Sequence, residues 1–216
     1  MSLTLYYHPL ASYCWKVLIA LFENETPFER EIVDLADEPS RARFLALAPL
    51  GKFPVIRDGK NGRIVGESSI VIEYLAHRYP GSVELVPADP DRALEARFRE
   101  RFYDLYVHDP MQRIVGDRLR PAEHKDPYGV ARWKDDLRAA YALIDRDMKE
   151  RTWAAGEAFT MADCAAAPSL YYANRIVPFG EEFSNVARYF ERLRTRPSFA
   201  RTFEEAGPYL HNFPEG

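Results

Sequence analysis

The sequence predicts two domains in tandem: an α/β domain of order βαβαββα at the N-terminus and an all-α domain after it. Three observations carry this. Strand-like and helix-like patterns alternate up to about residue 80. A cluster of chain-breaking residues, Pro80, Gly81, Pro87 and Pro90, then interrupts the pattern. Beyond it, apolar residues recur only at helical spacing. The expected boundaries are therefore residues 1–80 for the first domain, 81–90 for a linker and 91–216 for the helical domain.

Each element has its own warrant. "LTLYY" (3–7) is β-like, and "YCWKVLIALFENE" (13–25) is a helical apolar run. "FEREIVDL" (28–35) alternates as a strand, and "PSRARFLALAP" (39–49) reads as a short helix. "FPVIRDGKNGRIVGE" (53–67) holds two short strands around Asp58-Gly59 and Asn61-Gly62, a hairpin signal. "SSIVIEYLAHRY" (68–79) is a helix ended by Pro80-Gly81. A strand–helix–strand unit followed by a hairpin and a helix makes a four-stranded mixed sheet with helices on its faces.

In the second domain, Phe98, Phe102, Leu105 and Tyr106 are expected on one face of a long helix that Pro110 kinks or ends. Its stretch "RFRERFYDLY" alternates Arg with Glu and Asp and reads as a solvated face. Trp133, Leu137, Tyr141 and Ile144 line a second helix, and further helices are expected at 160–174, 185–195 and 198–206. In "FTMADCA", Thr160 and Asp163 have capping-box spacing, with Phe159 and Cys164 at the staple positions. Cys164 reads as a small buried hydrophobe.

The chain has 216 residues, a net charge of −4, 47% hydrophobic and 29% charged residues, which is ordinary for a soluble protein. The acidic balance argues against nucleic acid as the main partner. No run approaches the roughly 18 apolar residues of a membrane span. The start "MSLTLYYHP" lacks the charged and apolar regions of a signal peptide. Cys14 and Cys164, the two cysteines, imply neither a disulfide framework nor a metal site. A cytoplasmic protein is expected, with no metal, no membrane and no nucleic acid.

Two motifs point to a ligand. In "GKFPVI" (51–56) a proline precedes a short strand, where its missing N–H suits an edge or a sharp turn. Such a turn leaves the Phe53 backbone facing outward, able to pair with an extended peptide-like ligand. The other reading is an edge-strand proline with no ligand. In "GESSIVIEYL" (66–75) Ser68 opens a helix, either as a simple cap or as part of an anion site. Glu67 beside it supplies a negative charge, so the pair matches an α-amino acid head group. Lys52 can hold a second carboxylate or simply be solvated.

The α/β domain with "GKFPVI" and "ESSIVIEYL", followed by an all-α domain with "AGEAFTMADCAAAPSLYYA", resembles the cytosolic glutathione S-transferases, of bacterial serine-type or zeta-like kind. The resemblance covers nearly the whole chain. It implies a thioredoxin-like N-terminal domain with a cis peptide before Pro54. It implies glutathione as co-substrate: Phe53 pairing with the cysteinyl part, Glu67 and Ser68 holding the γ-glutamyl end, and Lys52 the glycyl carboxylate. It also implies a homodimer, a detoxification role and a small electrophile bound between the domains, with Tyr103, Tyr106 and Met111 as candidate walls. The tail "PYLHNFPEG" would fold over that cleft or be disordered. A glutathione-dependent isomerase or dehalogenase, and a non-catalytic glutathione-binding protein, are the alternatives.

Conjugation needs a thiolate, and a free thiol of pKa near 8.5 is only a few per cent ionised at pH 7. A hydroxyl donating to the sulfur supplies the shift. In "LASYCWKV" the family's usual serine position falls on Ala11, and Ser12 stands one residue later as the first candidate, with a plain N-cap as its other reading. Tyr7 matches the donor position of tyrosine-type members and is the runner-up. Cys14 falls one residue after the cysteine-type position and reads as a packed side chain. His8, before a proline, reads as solvated.

Overall fold

Leu3–Tyr7 form strand β1, with Leu3, Leu5 and Tyr7 buried and the residues between them half-buried. β1 pairs in parallel with β2 (Phe28–Ile32) and antiparallel with β3 (Val55–Asp58), which pairs antiparallel with β4 (Arg63–Gly66). The four-stranded mixed sheet therefore runs β2-β1-β3-β4. These assignments come from a computed structural model that describes residues 2–214. Helices α1 (Ser12–Glu23), α2 (Glu38–Leu47) and α3 (Ser68–Arg78) complete the expected βαβαββα order. β2 ends at Ile32 rather than at residue 35. Asp34 accepts a hydrogen bond from the Ala36 N–H at 2.8 Å and turns the chain out of the sheet.

Every residue of α1 from Cys14 to Leu21 is buried, as befits a helix apolar on nearly all sides. It packs on α3 and also on two helices of the second half, α7 (Met161–Asn174) and α9 (Pro197–Ala206). The remaining helices are α4 (Pro90–Phe102), α5 (Asp109–Arg118), α6 (Pro127–Asp147) and α8 (Ser184–Arg194). This is the α/β domain plus all-α domain that the sequence predicts, the first of them with the thioredoxin-like arrangement that the family resemblance implies. Thr160 and Asp163 form the expected reciprocal cap on α7, and Asp163 also accepts from the Ala154 N–H at 2.8 Å and the Tyr189 hydroxyl at 2.6 Å. Cys164 and Phe159 are buried.

Two expectations fail in the α4 region. Phe98, Leu105 and Tyr106 do not share a buried face with Phe102; they are 53%, 53% and 57% exposed. The buried positions are Ala93, Ala96, Glu100, Tyr103, Asp104 and Val107. Nor is "RFRERFYDLY" simply a solvated face, since Glu100 and Asp104 lie in the interior. The cause is electrostatic: Lys16, inside apolar α1, must be paired, and it draws these two carboxylates inward. A π-helical turn over Tyr103–His108 then joins α4 to α5, with the Asp109 N–H bonded to the Asp104 carbonyl five residues back. Pro110, which has no N–H to give, sits in the first turn of α5. The wider turn rotates the residues after it relative to a strict 3.6-residue count.

Candidate active site

The turn between β1 and α1 is fixed from several sides. The Ala11 N–H bonds the His8 carbonyl at 3.0 Å, and the Leu10 N–H bonds His8 Nδ1 at 3.2 Å. The Trp15 indole donates to the Pro9 carbonyl at 2.6 Å, and the Tyr172 hydroxyl of α7 donates to the Leu10 carbonyl at 2.7 Å. Ser12 is thus the first residue of a helix whose start is held by both halves of the protein.

Ser12 is not an N-cap. Ala11 takes that position, with no side-chain cap. The Ser12 Oγ instead lies 2.8 Å from His108 Nε2. Ser12 is 8% exposed and lines a cleft of about 1120 Å³ between the sheet domain and the helices.

The other thiol-activating candidates point elsewhere. Tyr7 does not line the cleft, and its hydroxyl donates to Glu205 of α9 at 3.0 Å. Burial and the Glu205 charge both push its pKa up, away from ready ionisation. Cys14 is wholly buried, which pushes its thiol up to about 12. His8 is half-buried, not solvated. Its ring stacks at 6.3 Å on Phe53 and meets the edge of Tyr209 at 5.1 Å.

Lys52, Phe53, Pro54, Glu67, Ser68 and Met111 line the same cleft as Ser12. The Phe53–Pro54 peptide is cis. Glu67, not Ser68, occupies the cap position of α3, and its side chain makes no cap hydrogen bond. The opening N–H groups of α3 are therefore left without a side-chain cap, at the positive end of the helix dipole. Glu67 holds a φ of 62°, a left-handed conformation uncommon for a non-glycine residue. Tyr103 and Tyr106, expected as walls, are not in the cleft. Tyr103 is buried among the helices and Tyr106 faces outward. The π turn and the inward pull on Glu100 and Asp104 explain the shift.

Sequence reasoning missed several cleft and support residues. Tyr13, Arg101, Asp104, Val115, Tyr172 and Phe213 line the cleft. Phe213 stacks on Tyr172 at 5.3 Å, so the tail closes one wall; its last two residues lie outside the described part. Lys16 Nζ lies 2.5 Å from Glu100 Oε1 and 2.7 Å from Asp104 Oδ2, and Arg101 pairs with both carboxylates. Burial pushes the Glu100 carboxyl up, but Arg101, Lys16 and Ser69 outweigh it and hold it down to about 2. Asp104 ends above its ordinary value, because burial and the Glu100 charge outweigh Lys16 and Arg101; its Oδ1 has no hydrogen-bond partner among the described residues. Burial and then the Lys16 charge push His108 down to about 3, so it is neutral at physiological pH.

The cleft brings together the uncapped start of α3, the Glu67 carboxylate, the Lys52 ammonium and the Ser12 hydroxyl, groups whose chemistry suits a peptide-like ligand with an ammonium and carboxylates. Among the described residues, no cluster of His, Cys, Asp or Glu could hold a metal ion, and no helix is long and apolar enough to cross a membrane.

The family models "Glutathione S-transferase, N-terminal domain" and "Glutathione S-transferase, C-terminal domain" match residues 11–78 and 102–197. The chain belongs to the glutathione S-transferase family. A solved glutathione S-transferase from Methylobacterium radiotolerans, in complex with glutathione sulfonate, is similar at 30% identity and TM-score 0.79, over 94% of each chain. Glutathione S-transferase GstB of Escherichia coli K12 is 28% identical, over 85% of this chain and 88% of its own. A maleylacetoacetate isomerase of Pseudomonas aeruginosa is 27% identical, over 92% and 93%.

Proposed function

We propose that this protein is a serine-type glutathione transferase that adds the glutathione sulfur to a small apolar electrophile. The observation that carries the reading is the placement of Ser12 in one cleft with Lys52, Phe53, Glu67 and Ser68. The start of α3 and Ser68 take the γ-glutamyl carboxylate, and Glu67 its ammonium. The Phe53 backbone pairs with the cysteinyl part, and Lys52 takes the glycyl carboxylate. Ser12 donates its hydroxyl hydrogen to the sulfur and stabilises the thiolate, whose proton leaves to water. A sulfur lone pair then forms the C–S bond, and a leaving group, where there is one, departs with its electron pair.

The wall beyond Ser12 favours the transferase over the isomerase reading. It is made mainly by Leu10, Met111, Val115, Leu119, Tyr172 and Phe213, with the uncharged Gln112 and Asn212 side chains among them. Among the described residues, the lining cations are Lys52 and Arg101, and Arg101 is committed to Glu100 and Asp104. A maleyl-type diacid finds no free cation on that wall, whereas an aryl halide finds apolar surface. The expected result is retention on immobilised glutathione and conjugation of an aryl halide at least about tenfold faster than isomerisation of a maleyl diacid. A chain that flows straight through the column sinks the reading; preferred turnover of the diacid makes it an isomerase.

We further propose a cytoplasmic homodimer acting in detoxification. Both cysteines are free and buried, which suits a reducing compartment. Leu94, Phe98 and Leu105 are 65%, 53% and 53% exposed, and α3 beside them presents Ile70 at 56%. Arg97 holds α3 to α4 through Glu73 at 2.5 and 2.8 Å, so these side chains can form one face. An apolar face of this kind is what a second copy covers. Light scattering should give the mass of two chains, and Phe98→Glu should raise the dimer dissociation constant by about 30-fold or more. A monomeric parent protein rules out the dimer.

A further inference from the structure

We infer that His108 is a positioning residue that aims the Ser12 proton into the cleft: its Nε2–H donates to Ser12 Oγ and leaves the hydroxyl hydrogen for the sulfur of bound glutathione. The inference rests on the reading of Ser12 as the thiolate donor.

Ser12 Oγ and His108 Nε2 are 2.8 Å apart, and both residues are buried, His108 at 1% exposure. Ser12 borders the cleft and His108 does not, so the ring sits behind the hydroxyl as seen from the ligand. A hydroxyl has one hydrogen and two lone pairs, and a neutral imidazole has one N–H. Two arrangements satisfy the contact. If His108 carries its hydrogen on Nδ1, Ser12 must donate to Nε2 and offers the cleft only a lone pair, which repels a thiolate. If the hydrogen is on Nε2, the ring fills an Oγ lone pair and the hydroxyl hydrogen is free to point outward. Only the second makes Ser12 a donor, and donation into Oγ polarises its O–H further.

A third arrangement would use His108 as a base, receiving the thiol proton through Ser12. The groups that face the ring oppose it. From α1, Lys16 brings a buried cation, and the Tyr13 ring lies at 4.3 Å centroid separation. With burial added, the imidazole holds no second proton near neutrality. The π turn matters because His108 is its last residue, and its register places the ring toward the start of α1.

The test titrates the thiol of bound glutathione by its ultraviolet thiolate absorbance in the parent protein, Ser12→Ala, His108→Leu, His108→Gln and the Ser12→Ala/His108→Leu pair. Nitrogen-15 NMR of the His108 ring in the parent protein reads the tautomer directly. His108→Leu should raise the bound thiol pKa by about one unit, a tenfold loss of thiolate well below the pKa. The glutathione KM should change by less than about twofold, since His108 makes no contact with the ligand. His108→Gln, which keeps an N–H at similar reach, should recover more than half of the shift. The double variant should go no further than Ser12→Ala, because the two residues act in series. The ring should be neutral and protonated on Nε2. An unchanged thiol pKa in His108→Leu, with Ser12→Ala shifted, overturns the role of His108 and leaves that of Ser12. A ring protonated on Nδ1 overturns it too, and needs no variant to fold. If Ser12→Ala leaves the thiol pKa unchanged, both readings fall.

Discussion

Replacing Ser12 with alanine is expected to raise the pKa of enzyme-bound glutathione by about one to two units. A hydrogen bond to a charged group contributes about 1.5–3 kcal/mol, and each pKa unit corresponds to about 1.4 kcal/mol. At a pH near 6.5 the loss of thiolate lowers kcat/KM by about 10- to 100-fold. The two proteins should converge as the pH rises through the variant's thiol pKa, because both are then ionised. The substitution removes a single hydroxyl, so circular dichroism should be unchanged. Tyr7→Phe and Cys14→Ala are the controls: the Tyr7 hydroxyl is spent on Glu205, and Cys14 lies under the cleft surface, so neither should move the thiol pKa. A shift with Tyr7→Phe and none with Ser12→Ala would reassign the donor.

The largest expected loss of stability comes from Lys16→Met. The side chain fits by volume, but Glu100 and Asp104 lose their buried counter-ion. Breaking a buried ion pair on one side costs about 3–5 kcal/mol, because a charge is left inside without compensation. Arg101, half exposed and paired with both carboxylates, offsets part of this. The sign of the pH dependence is definite. In the parent protein Glu100 is held at about 2 against an ordinary value of 4.5. Its stabilisation is therefore present above pH 4.5 and is lost as the pH falls through about 2. In the variant Glu100 keeps Arg101 and Ser69 but loses the part of its hold that Lys16 supplies, and Asp104, already above its ordinary value, rises further. The gap between the proteins, read by urea unfolding, should be widest near neutrality and should shrink toward acid pH. A constant gap across that range would mean that packing, not charge, sets the role of Lys16.

The parts of the site that depend on local backbone chemistry were legible in the sequence. Pro54 marks the turn at the start of β3, the Glu67-Ser68 pair marks the start of α3, and Thr160 with Asp163 marks the start of α7. In each case the signal and its consequence lie within a few residues. One missed feature did have a signal. Lys16 interrupts an otherwise apolar helical run, and a lysine there needs partners of opposite charge brought from elsewhere in the chain. Glu100 and Asp104 in "RFRERFYDLY" are the carboxylates that meet this need. His108 had no such signal. It is 96 residues from Ser12, and a π turn breaks the helical count on which its facing would have been judged.

The sequence by itself thus determined the order of elements, the family and the two cleft-lining segments around Pro54 and Glu67-Ser68, because these follow from short-range pattern, turn chemistry and caps. Only the tertiary structure decided which candidate near the first turn meets the cleft. It placed Ser12 there, bound Tyr7 to Glu205, buried Cys14 and turned Tyr103 and Tyr106 away. The reason is that a side chain's facing is set by what packs on the far side of its helix or strand. For α1 that is a set of helices from the second half of the chain, drawn in by apolar burial and by one lysine's need for counter-charge.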